Sequence, residues 1–375
     1  MIAFNKPYLS GKETDYINEA VKSAKISGDG MFTKKCHEFF EKKYGFKKVL
    51  LTTSCSDALE MAAILLDIKE GDEVIVPSFT FVSTANAFVL RGAKIVFADS
   101  EKNTPNIDTD KIEALITPKT KAIIPVHYAG MACNMDAIML LANKYNLFVV
   151  EDAAQAIDSF YNGKPLGSIG HLAAFSFHET KNIISGEGGM LVINDDRFLH
   201  RAEIIREKGT NRSAFFRGET DKYGWVDIGS SFLPSDIIAA FLFAQLENLD
   251  EIQWRRKNIW DSYYSGLAGI KQNGLADLPN LPRYAVNNAH MFYIVCKNLE
   301  ERTALIAKLK ADQIGAVFHY ISLHSSPYYF AKHDGRALPQ ADRFTKCLLR
   351  LPFYFELKEA DQQKVIDTIL NFYGL

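Results

Sequence analysis

The sequence predicts an α/β protein with a large domain built on a mostly parallel, seven-stranded sheet and a smaller, C-terminal α+β domain. Two observations support this fold class. From about residue 47, short apolar runs rich in β-branched residues alternate with longer segments of helical period, which is the pattern of a parallel sheet with helical crossovers. The length of 375 residues, with 47% hydrophobic content, is sufficient for two packed cores.

The order of the elements follows from these alternations. Strands are predicted at 48–51, 73–76, 94–97, 121–126, 148–151, 172–177 and 190–193. Helices are predicted between them at 56–66, 81–91, 108–116 and 134–145, most opening on residues that cap helix N-termini. A long helical stretch at 234–267 precedes a segment with Pro279, Pro282 and Asn287-Asn288, which indicates a boundary.

The predicted domains are therefore 1–265, comprising an N-terminal segment and the large domain, and 266–375, the small domain. The small domain is expected to contain strands at 291–296 and 316–320, a helix at 301–311 and two further helices.

The composition narrows the functional classes. The 43 basic and 45 acidic residues give a formal net charge of -2 and are spread along the chain, so no nucleic-acid partner is expected. The five cysteines are odd in number and contain no CxxC pair, which is typical of reduced thiols. The N-terminus lacks a signal-peptide pattern, and no apolar run approaches the roughly 18 residues of a membrane span. We expect a cytoplasmic protein with a small-molecule partner, no membrane contact and no metal.

A lysine stands directly after the predicted strand 172–177, in the run AFSFHETKN followed by the glycine-rich SGEGG. Lys181 differs from the usual lysine on a solvated helix face, because it lies in a short loop among small residues. A partly desolvated lysine loses its proton more easily and can attack an aldehyde. Lys181 is therefore predicted to form a Schiff base with a cofactor aldehyde and then to act as general base and acid.

Three other strand ends carry polar or aromatic residues, where ligands bind in open α/β sheets. Asp152 ends the apolar strand 148–151 and could hold a protonated pyridine nitrogen, whereas Glu151 would point the other way. Ser56, at a predicted helix start, and Ser176 are candidate phosphate contacts. Phe81 could stack on a planar ring. Each also has a structural interpretation, as a helix cap, a metal ligand or a core side chain.

Five segments together, SCSDAL, PSFTFVSTANAF, PVHYAG, VVEDAAQA and AFSFHETKN, resemble the DegT/DnrJ/EryC1 family of sugar aminotransferases. The resemblance runs nearly the whole length of the chain. It implies a fold-type-I, aspartate-aminotransferase-like architecture, pyridoxal 5'-phosphate as cofactor and a homodimer with shared active sites. It also implies transfer of an amino group from L-glutamate to a nucleotide-linked keto sugar.

The resemblance assigns roles to positions of this chain. Lys181 matches the lysine that carries the cofactor, Asp152 the partner of the pyridine nitrogen and Gln155 the contact beside the ring hydroxyl. Phe81 matches the aromatic residue on the ring face, and Ser56 and Ser176 match phosphate ligands.

The phosphate site departs from the family at two places. Many members have glycine where Cys55 stands, and an Asn-x-Arg pair where this chain has Ser231-Phe232-Leu233. The family's asparagine reaches the phosphate from the neighbouring subunit, so Ser231 is the candidate for that role.

The stretch 205–231 and NAHMFYI at 288–294 carry a narrower resemblance, to members that aminate dTDP-4-keto-6-deoxy-D-glucose at C4 to the galacto product. The gluco epimer and other nucleotide sugars stay open. His290, His319 and Tyr320 lie in segments that resemble substrate-facing parts of family members.

Three other functions compete with this interpretation. A pyridoxal-phosphate sugar dehydratase has histidine where this chain has Lys181. Nucleotide-dependent oxidoreduction is disfavoured because no GxGxxG follows the first strand. A non-enzymatic binding protein is disfavoured because Lys181, Asp152, Gln155 and Ser176 are all present.

Overall fold

The computed structural model describes all 375 residues and contains twelve strands. The strands are β1 (Lys48–Thr52), β2 (Glu73–Pro77), β3 (Lys94–Ala98), β4 (Thr120–Ile123), β5 (Phe148–Asp152), β6 (Phe160–Tyr161), β7 (Lys164–Pro165), β8 (Leu172–Ser176), β9 (Gly189–Ile193), β10 (Ala285–Val286), β11 (Tyr293–Val295) and β12 (Leu348–Arg350).

Thirteen α-helices connect and cover these strands. The helices are α1 (Glu13–Lys22), α2 (Met31–Tyr44), α3 (Cys55–Leu65), α4 (Ser83–Val89), α5 (Met135–Tyr145), α6 (Leu199–Arg206), α7 (Arg212–Phe216), α8 (Asp236–Glu247), α9 (Leu249–Gly266), α10 (Ala268–Gln272), α11 (Leu299–Ala311), α12 (Pro339–Cys347) and α13 (Glu359–Tyr373). No helix combines the length and the apolar character needed to cross a membrane.

The central sheet has seven strands in the order β1-β9-β8-β5-β4-β2-β3. Strand β9 is antiparallel to both of its neighbours, and the other pairs are parallel. All seven predicted strands are present, and the prediction of a mostly parallel, seven-stranded sheet is confirmed. The parallel strands end at one edge, and this edge is where ligands bind in open α/β sheets.

Both faces of this sheet are buried. Along β1, Val49 and Leu51 belong to one apolar cluster while Leu50, which points the other way, belongs to a second. The same alternation recurs in β8, where Ala173 and Phe175 face the first cluster. Burial on both sides explains why these strands are continuous apolar runs, and it makes their positions easy to predict.

A third apolar cluster holds the C-terminal part of the chain together. It contains residues of α9, α11 and α13 and of the antiparallel pair β11–β12, such as Tyr263, Leu305, Ile294 and Val365. Helix α9 runs through the predicted boundary at 265/266 and contributes to this cluster from Ile259 onward. The two-domain division at that residue stays a prediction.

Two predicted elements are wrong. Residues 108–116 form two short 3-10 turns, Thr109–Lys111 and Glu113–Leu115, instead of an α-helix. Pro118 disfavours helical backbone at Thr117, so a helix over this segment could not continue beyond it. Residues 316–320 form no strand, because after Val317 pairs with Arg350 the chain leaves β12 and Leu323 donates its N–H to the Ser78 carbonyl.

The short strands β6, β7, β10 and β12 were not predicted, and the other differences concern helices. The predicted helix at 234–267 is divided into α8 and α9 at Asn248, whose side-chain amide donates to the Ala244 carbonyl at 2.9 Å. The sequence prediction did not identify α1 and α2, both of which pack on α8. The five cysteines are free thiols, and all except Cys55 are buried.

Candidate active site

The predicted site residues meet at the carboxyl edge of the parallel strands. Asp152 and Ser176 are the last residues of the adjacent strands β5 and β8. Cys55 and Ser56 begin α3 after β1, and Phe81 lies in the turn between β2 and α4. Lys181 follows β8 by five residues, in a loop whose backbone is fixed by its own N–H donating to the His178 carbonyl at 2.9 Å.

Asp152 is a buried carboxylate without a cationic partner. It is 5% exposed; Thr84 Oγ1 donates to Oδ2 at 2.6 Å, and the Ala154 amide donates to Oδ1 at 3.1 Å. Burial raises the pKa of Asp152, which these two hydrogen bonds and the positive charge of Lys181 oppose. A cation beside this carboxylate would replace its lost hydration.

Glu151 lies on the opposite face of β5, as predicted. Its carboxylate contacts the His127 ring at 3.0 Å and accepts backbone N–H groups from Gly167, Ile169 and Gly170 at 2.6–2.8 Å. Because all of its acceptor sites are occupied by this network, Glu151 supports the turn before β8 and leaves the ligand side to Asp152.

Lys181 has an unusually acidic ammonium group. Its pKa is lowered to about 8, mainly by burial; the positive charge of Arg350 acts in the same direction as burial, while Cys55 and Asp152 act in the opposite direction. A larger fraction of Lys181 is therefore the neutral amine near neutral pH than of an ordinary lysine. The neutral amine is the form that attacks an aldehyde.

A chain of contacts joins the carboxyl edge of the central sheet to the segment at 316–323. Gln155 Oε1 accepts from the Ala129 amide at 2.6 Å, and its Nε2 donates to the Tyr320 hydroxyl at 3.0 Å. The Tyr320 ring lies 5.9 Å from the Phe81 ring, centroid to centroid. Phe81 is 55% exposed, so one face of its ring is open to a ligand.

The start of α3 is polar and closely approached by β9. Ser54 is an N-cap whose side chain accepts from the Asp57 amide at 3.0 Å, which leaves Ser56 to donate to Ser83 Oγ at 2.7 Å. A Cβ at Gly189 would overlap the backbone of Ser54 and Cys55. Glycine at 189 is therefore needed for the sheet to reach this helix N-terminus, a site suited to a phosphate group.

The other predicted residues have different surroundings. His290 is buried, and its Nδ1 contacts Asn182 Oδ1 at 2.9 Å beside the Lys181 loop. His319 is exposed and its Nδ1 lies 3.4 Å from Arg350 Nη1. Ser231 is exposed and pairs with Glu207 at the end of a surface loop, so its predicted contact with the phosphate of a neighbouring subunit stays a prediction.

These surroundings fit pyridoxal phosphate. A carboxylate without a cation could hold the protonated ring nitrogen, a lysine of low pKa could bind the aldehyde carbon, and the α3 N-terminus with Ser56 could hold the phosphate. Two further residues act on this site: Thr84 donates to Asp152, and the charge of Arg350 lowers the pKa of Lys181. Nothing in the sequence distinguishes Thr84 from the other residues of its helix, and the immediate neighbours of Arg350 in the sequence are apolar.

Comparison with known proteins identifies the family. The profile of the DegT/DnrJ/EryC1/StrS aminotransferase family matches residues 7–370. The GDP-perosamine synthase of Caulobacter vibrioides is 35% identical over 375 residues, covering 98% of this chain and 97% of that protein. The spore coat polysaccharide biosynthesis protein SpsC of Bacillus subtilis is 33% identical over 382 residues, covering 98% and 96%.

A solved structure agrees with these relatives. The PLP form of Spr1654 from Streptococcus pneumoniae superposes with a TM-score of 0.90 at 27% identity, covering 99% of this chain and 98% of that one. This similarity confirms the fold-type-I architecture and the cofactor. The chain belongs to the DegT/DnrJ/EryC1/StrS family and is a pyridoxal-phosphate-dependent sugar aminotransferase.

Proposed function

We propose that the enzyme transfers the amino group of L-glutamate to C4 of dTDP-4-keto-6-deoxy-D-glucose, giving dTDP-4-amino-4,6-dideoxy-D-galactose and 2-oxoglutarate. The observation that carries the chemistry is the pair formed by Lys181, with its pKa of about 8, and the buried carboxylate of Asp152. The acceptor is supported by the narrower resemblance of residues 205–231 and 288–294 to dTDP-sugar transaminases.

Lys181 and Asp152 divide the chemical work. When bound, pyridoxal phosphate supplies a ring that accepts electrons from the substrate carbon. Asp152 would hold the proton on the ring nitrogen, and Thr84, which donates to Oδ2, favours the ionised form of Asp152. Lys181 Nζ would take up the proton that leaves the donor carbon and would later supply the proton that C4 of the sugar gains.

The remaining cofactor contacts are assigned by position. Gln155, three residues after Asp152 in the sequence, would contact the ring hydroxyl, and Phe81 would cover one face of the ring. Ser56 and Ser176 would hold the phosphate, together with the Cys55 amide at the start of α3.

We assign the acceptor to a mainly apolar groove between the turn that follows β2 and the segment at 316–323. Phe81, Val317, Phe318, His319, Tyr320 and Ile321 line it. Tyr320 bridges the groove to Gln155, which supports a sugar contact for this hydroxyl. His319 faces the same groove, whereas His290 could act only from beneath the Lys181 loop.

We also propose a homodimer in which Ser231 contacts the phosphate of the partner's site. The support is the exposure of this loop: Ser231 follows Trp225, which is 84% exposed, and Val226, which is 55% exposed. Large apolar side chains on a surface loop favour an interface. The hydroxyl of Ser231 is shorter than the amide found there in many relatives.

The nucleotide and the product configuration are tested together. Purified enzyme is incubated with L-glutamate and, separately, with the 4-keto-6-deoxy sugars linked to dTDP, UDP and GDP, and the C4 configuration of the product is determined by NMR. We expect fastest turnover with the dTDP sugar and an axial amine. An equatorial amine would replace the galacto product by the gluco epimer.

The GDP-linked sugar is the second candidate, because GDP-perosamine synthase is 35% identical to this chain. Preference for that sugar would correct the nucleotide while leaving the aminotransferase chemistry unchanged.

A further inference from the structure

The loop that carries Lys181 has few backbone hydrogen bonds of its own. The Lys181 N–H donates to the His178 carbonyl at 2.9 Å, and the Ser185 N–H donates to the Phe177 carbonyl at 2.7 Å. Residues 182–184, which lie between these two bonds, neither donate nor accept a backbone hydrogen bond. The course of the loop at Lys181 therefore depends on side-chain contacts.

Asn182 supplies the polar contacts that the backbone of this loop lacks. It follows Lys181 directly in the chain, and its side chain is buried. Nδ2 donates to Gln253 Oε1 at 2.9 Å and to the Asn288 carbonyl at 2.8 Å, while Oδ1 lies 2.9 Å from His290 Nδ1. Both hydrogens of the Asn182 amide are therefore used, and its oxygen has a partner as well.

These contacts determine which nitrogen of His290 carries the proton. The Asn288 carbonyl can only accept, so the amide nitrogen of Asn182 must face it and the amide oxygen must face His290. Nδ1 of His290 is therefore the donor. Burial also lowers the pKa of His290 well below its ordinary value. The ring thus holds Asn182 as a neutral group and adds no positive charge beside the Lys181 loop.

The turn that contains His290 is fixed by a buried arginine on α9. Arg256 Nε donates to the Ala289 carbonyl at 3.1 Å, and Nη2 donates to the His290 carbonyl at 2.6 Å. Ala289 has a φ of 50°, which residues other than glycine adopt only rarely. Because two bonds from Arg256 hold this conformation, the donor of Asn182 is on a rigid support.

The same turn also contacts the loop after β5. Asn288 Nδ2 donates to the carbonyls of Gln155 and Ile157, at 2.9 and 2.6 Å. A Cβ at Gly130 would lie 2.0 Å from Asn288 Oδ1, so glycine is needed at 130 to admit this side chain. Residues 288–290 therefore connect the loop of Gln155 with the loop of Lys181.

We propose that Asn182 and His290 are positioning residues that hold Lys181 in place for proton transfer. The inference rests on the proposed role of Lys181 and names the residues through which the fold maintains it. A lysine that takes up and returns a proton must stay within hydrogen-bond reach of the reacting carbon, and a displacement of about 1 Å can slow such a step about 100-fold. Without the His290 donor, the buried oxygen of Asn182 would lose its partner, which favours a shift of the loop.

The test compares two variants of His290 that differ in one hydrogen-bond donor. Leucine has no donor, whereas asparagine keeps an N–H group two bonds from Cβ, where Nδ1 of histidine lies. The visible absorbance of the holoenzyme is followed as it reacts with L-glutamate. His290→Leu is expected to slow this half-reaction by about 10- to 100-fold, and His290→Asn should restore most of the rate.

Two kinetic signatures distinguish a misplaced lysine from general damage. With L-glutamate deuterated at its α-carbon, the isotope effect on the half-reaction should increase in His290→Leu, because proton transfer becomes slower relative to the other steps. The L-glutamate concentration that gives half of the maximal rate should stay close to that of the wild type, since the proposal gives His290 no contact with the donor.

Hydrogen exchange in the cofactor-free protein provides a measurement that needs no activity. The amides of residues 178–186 should exchange faster in His290→Leu than in the wild type, and His290→Asn should exchange like the wild type. Asn194→Leu is the matched control. Asn194 Nδ2 donates to the carbonyls of Gly167 and Gly170, both at 2.8 Å, beyond the end of β9 that pairs with the start of β8. This variant should change neither the half-reaction nor the exchange of 178–186.

Gln253→Leu is the second variant, to be used if His290→Leu does not fold. It removes one acceptor of the Asn182 amide and should slow the same half-reaction with the same rise in isotope effect. No reaction of wild-type enzyme with L-glutamate would overturn the proposed donor, while the exchange comparison would still decide the inference. An unchanged rate and unchanged exchange in folded His290→Leu, or equal losses in His290→Leu and His290→Asn, would overturn the positioning role.

Discussion

Thr84→Val tests whether the ionised form of Asp152 drives the reaction. Thr84 is 1% exposed and donates to Asp152 Oδ2 at 2.6 Å, and valine removes this donor with little change in shape. A hydrogen bond to a buried charged group contributes about 1.5–3 kcal/mol, so the carboxylate form becomes about 10- to 100-fold less favoured relative to the acid. The pKa of Asp152, already raised by burial, rises further.

The consequence for activity has a definite sign. The carboxylate is the active form, and activity is lost as the pH falls through the pKa of this group. The acidic limb of the kcat profile therefore moves up by about one to two pH units in Thr84→Val, and kcat at a fixed pH on that limb falls by about 10-fold or more. Steady-state kinetics with L-glutamate and the keto sugar across the pH range provide the assay.

Thr80→Val is the matched control for this experiment. The Thr80 hydroxyl contacts the Thr84 hydroxyl at 2.9 Å and does not contact Asp152. Its removal should leave the acidic limb close to that of the wild type. An unchanged acidic limb and kcat in a folded Thr84→Val enzyme would refute the role given to the Asp152 charge.

Three further predictions concern Lys181 and the close approach of Gly189 to the N-terminus of α3. Lys181→Ala should be colourless and lose at least about 100-fold in turnover, the contribution of a general base, and a colourless variant with full turnover would contradict this. The rate of pyridoxal phosphate uptake by cofactor-free protein should rise with pH around a midpoint of about 8, since only neutral Lys181 reacts; a midpoint near that of a free lysine would be inconsistent with its burial. Gly189→Ala, whose Cβ would overlap the backbone of Ser54, should destabilise the fold by about 1–3 kcal/mol and weaken cofactor binding in a titration, whereas Gly224→Ala, which has open space, should change neither.

The sequence was sufficient to predict those elements whose formation depends on one dominant physical effect. Strands buried on both faces are continuous apolar runs, and all seven of the central sheet were predicted. The segment 108–116 had helical spacing, but Pro118 disfavours helical backbone before it, and the segment forms two 3-10 turns. The segment 316–320 has the composition of a strand, but the chain leaves β12 after Val317, and the Leu323 N–H donates a hydrogen bond to the Ser78 carbonyl instead. Contacts between residues so far apart in the sequence cannot be predicted from the local pattern of apolar and polar residues.

In the active site, too, some residues could be predicted from the sequence and others could not. Lys181 and Asp152 follow apolar strands and could be selected for that reason, whereas Thr84 and Arg350 matter because of what folding places beside them. His290 is a candidate because its segment resembles substrate-facing parts of family members, yet its contact with Asn182 beneath the Lys181 loop follows only from the tertiary structure.

Transfer of nitrogen from donor to sugar is the most direct test of the proposed function. Holoenzyme is incubated with L-glutamate carrying an isotopically labelled amino group and with dTDP-4-keto-6-deoxy-D-glucose, and the product is analysed by NMR and mass spectrometry. The proposed function predicts that the label is bonded to C4 of a dTDP-linked 4-amino sugar, with an equal amount of 2-oxoglutarate. A sugar that stays unlabelled, or loses a hydroxyl group without gaining nitrogen, would contradict it.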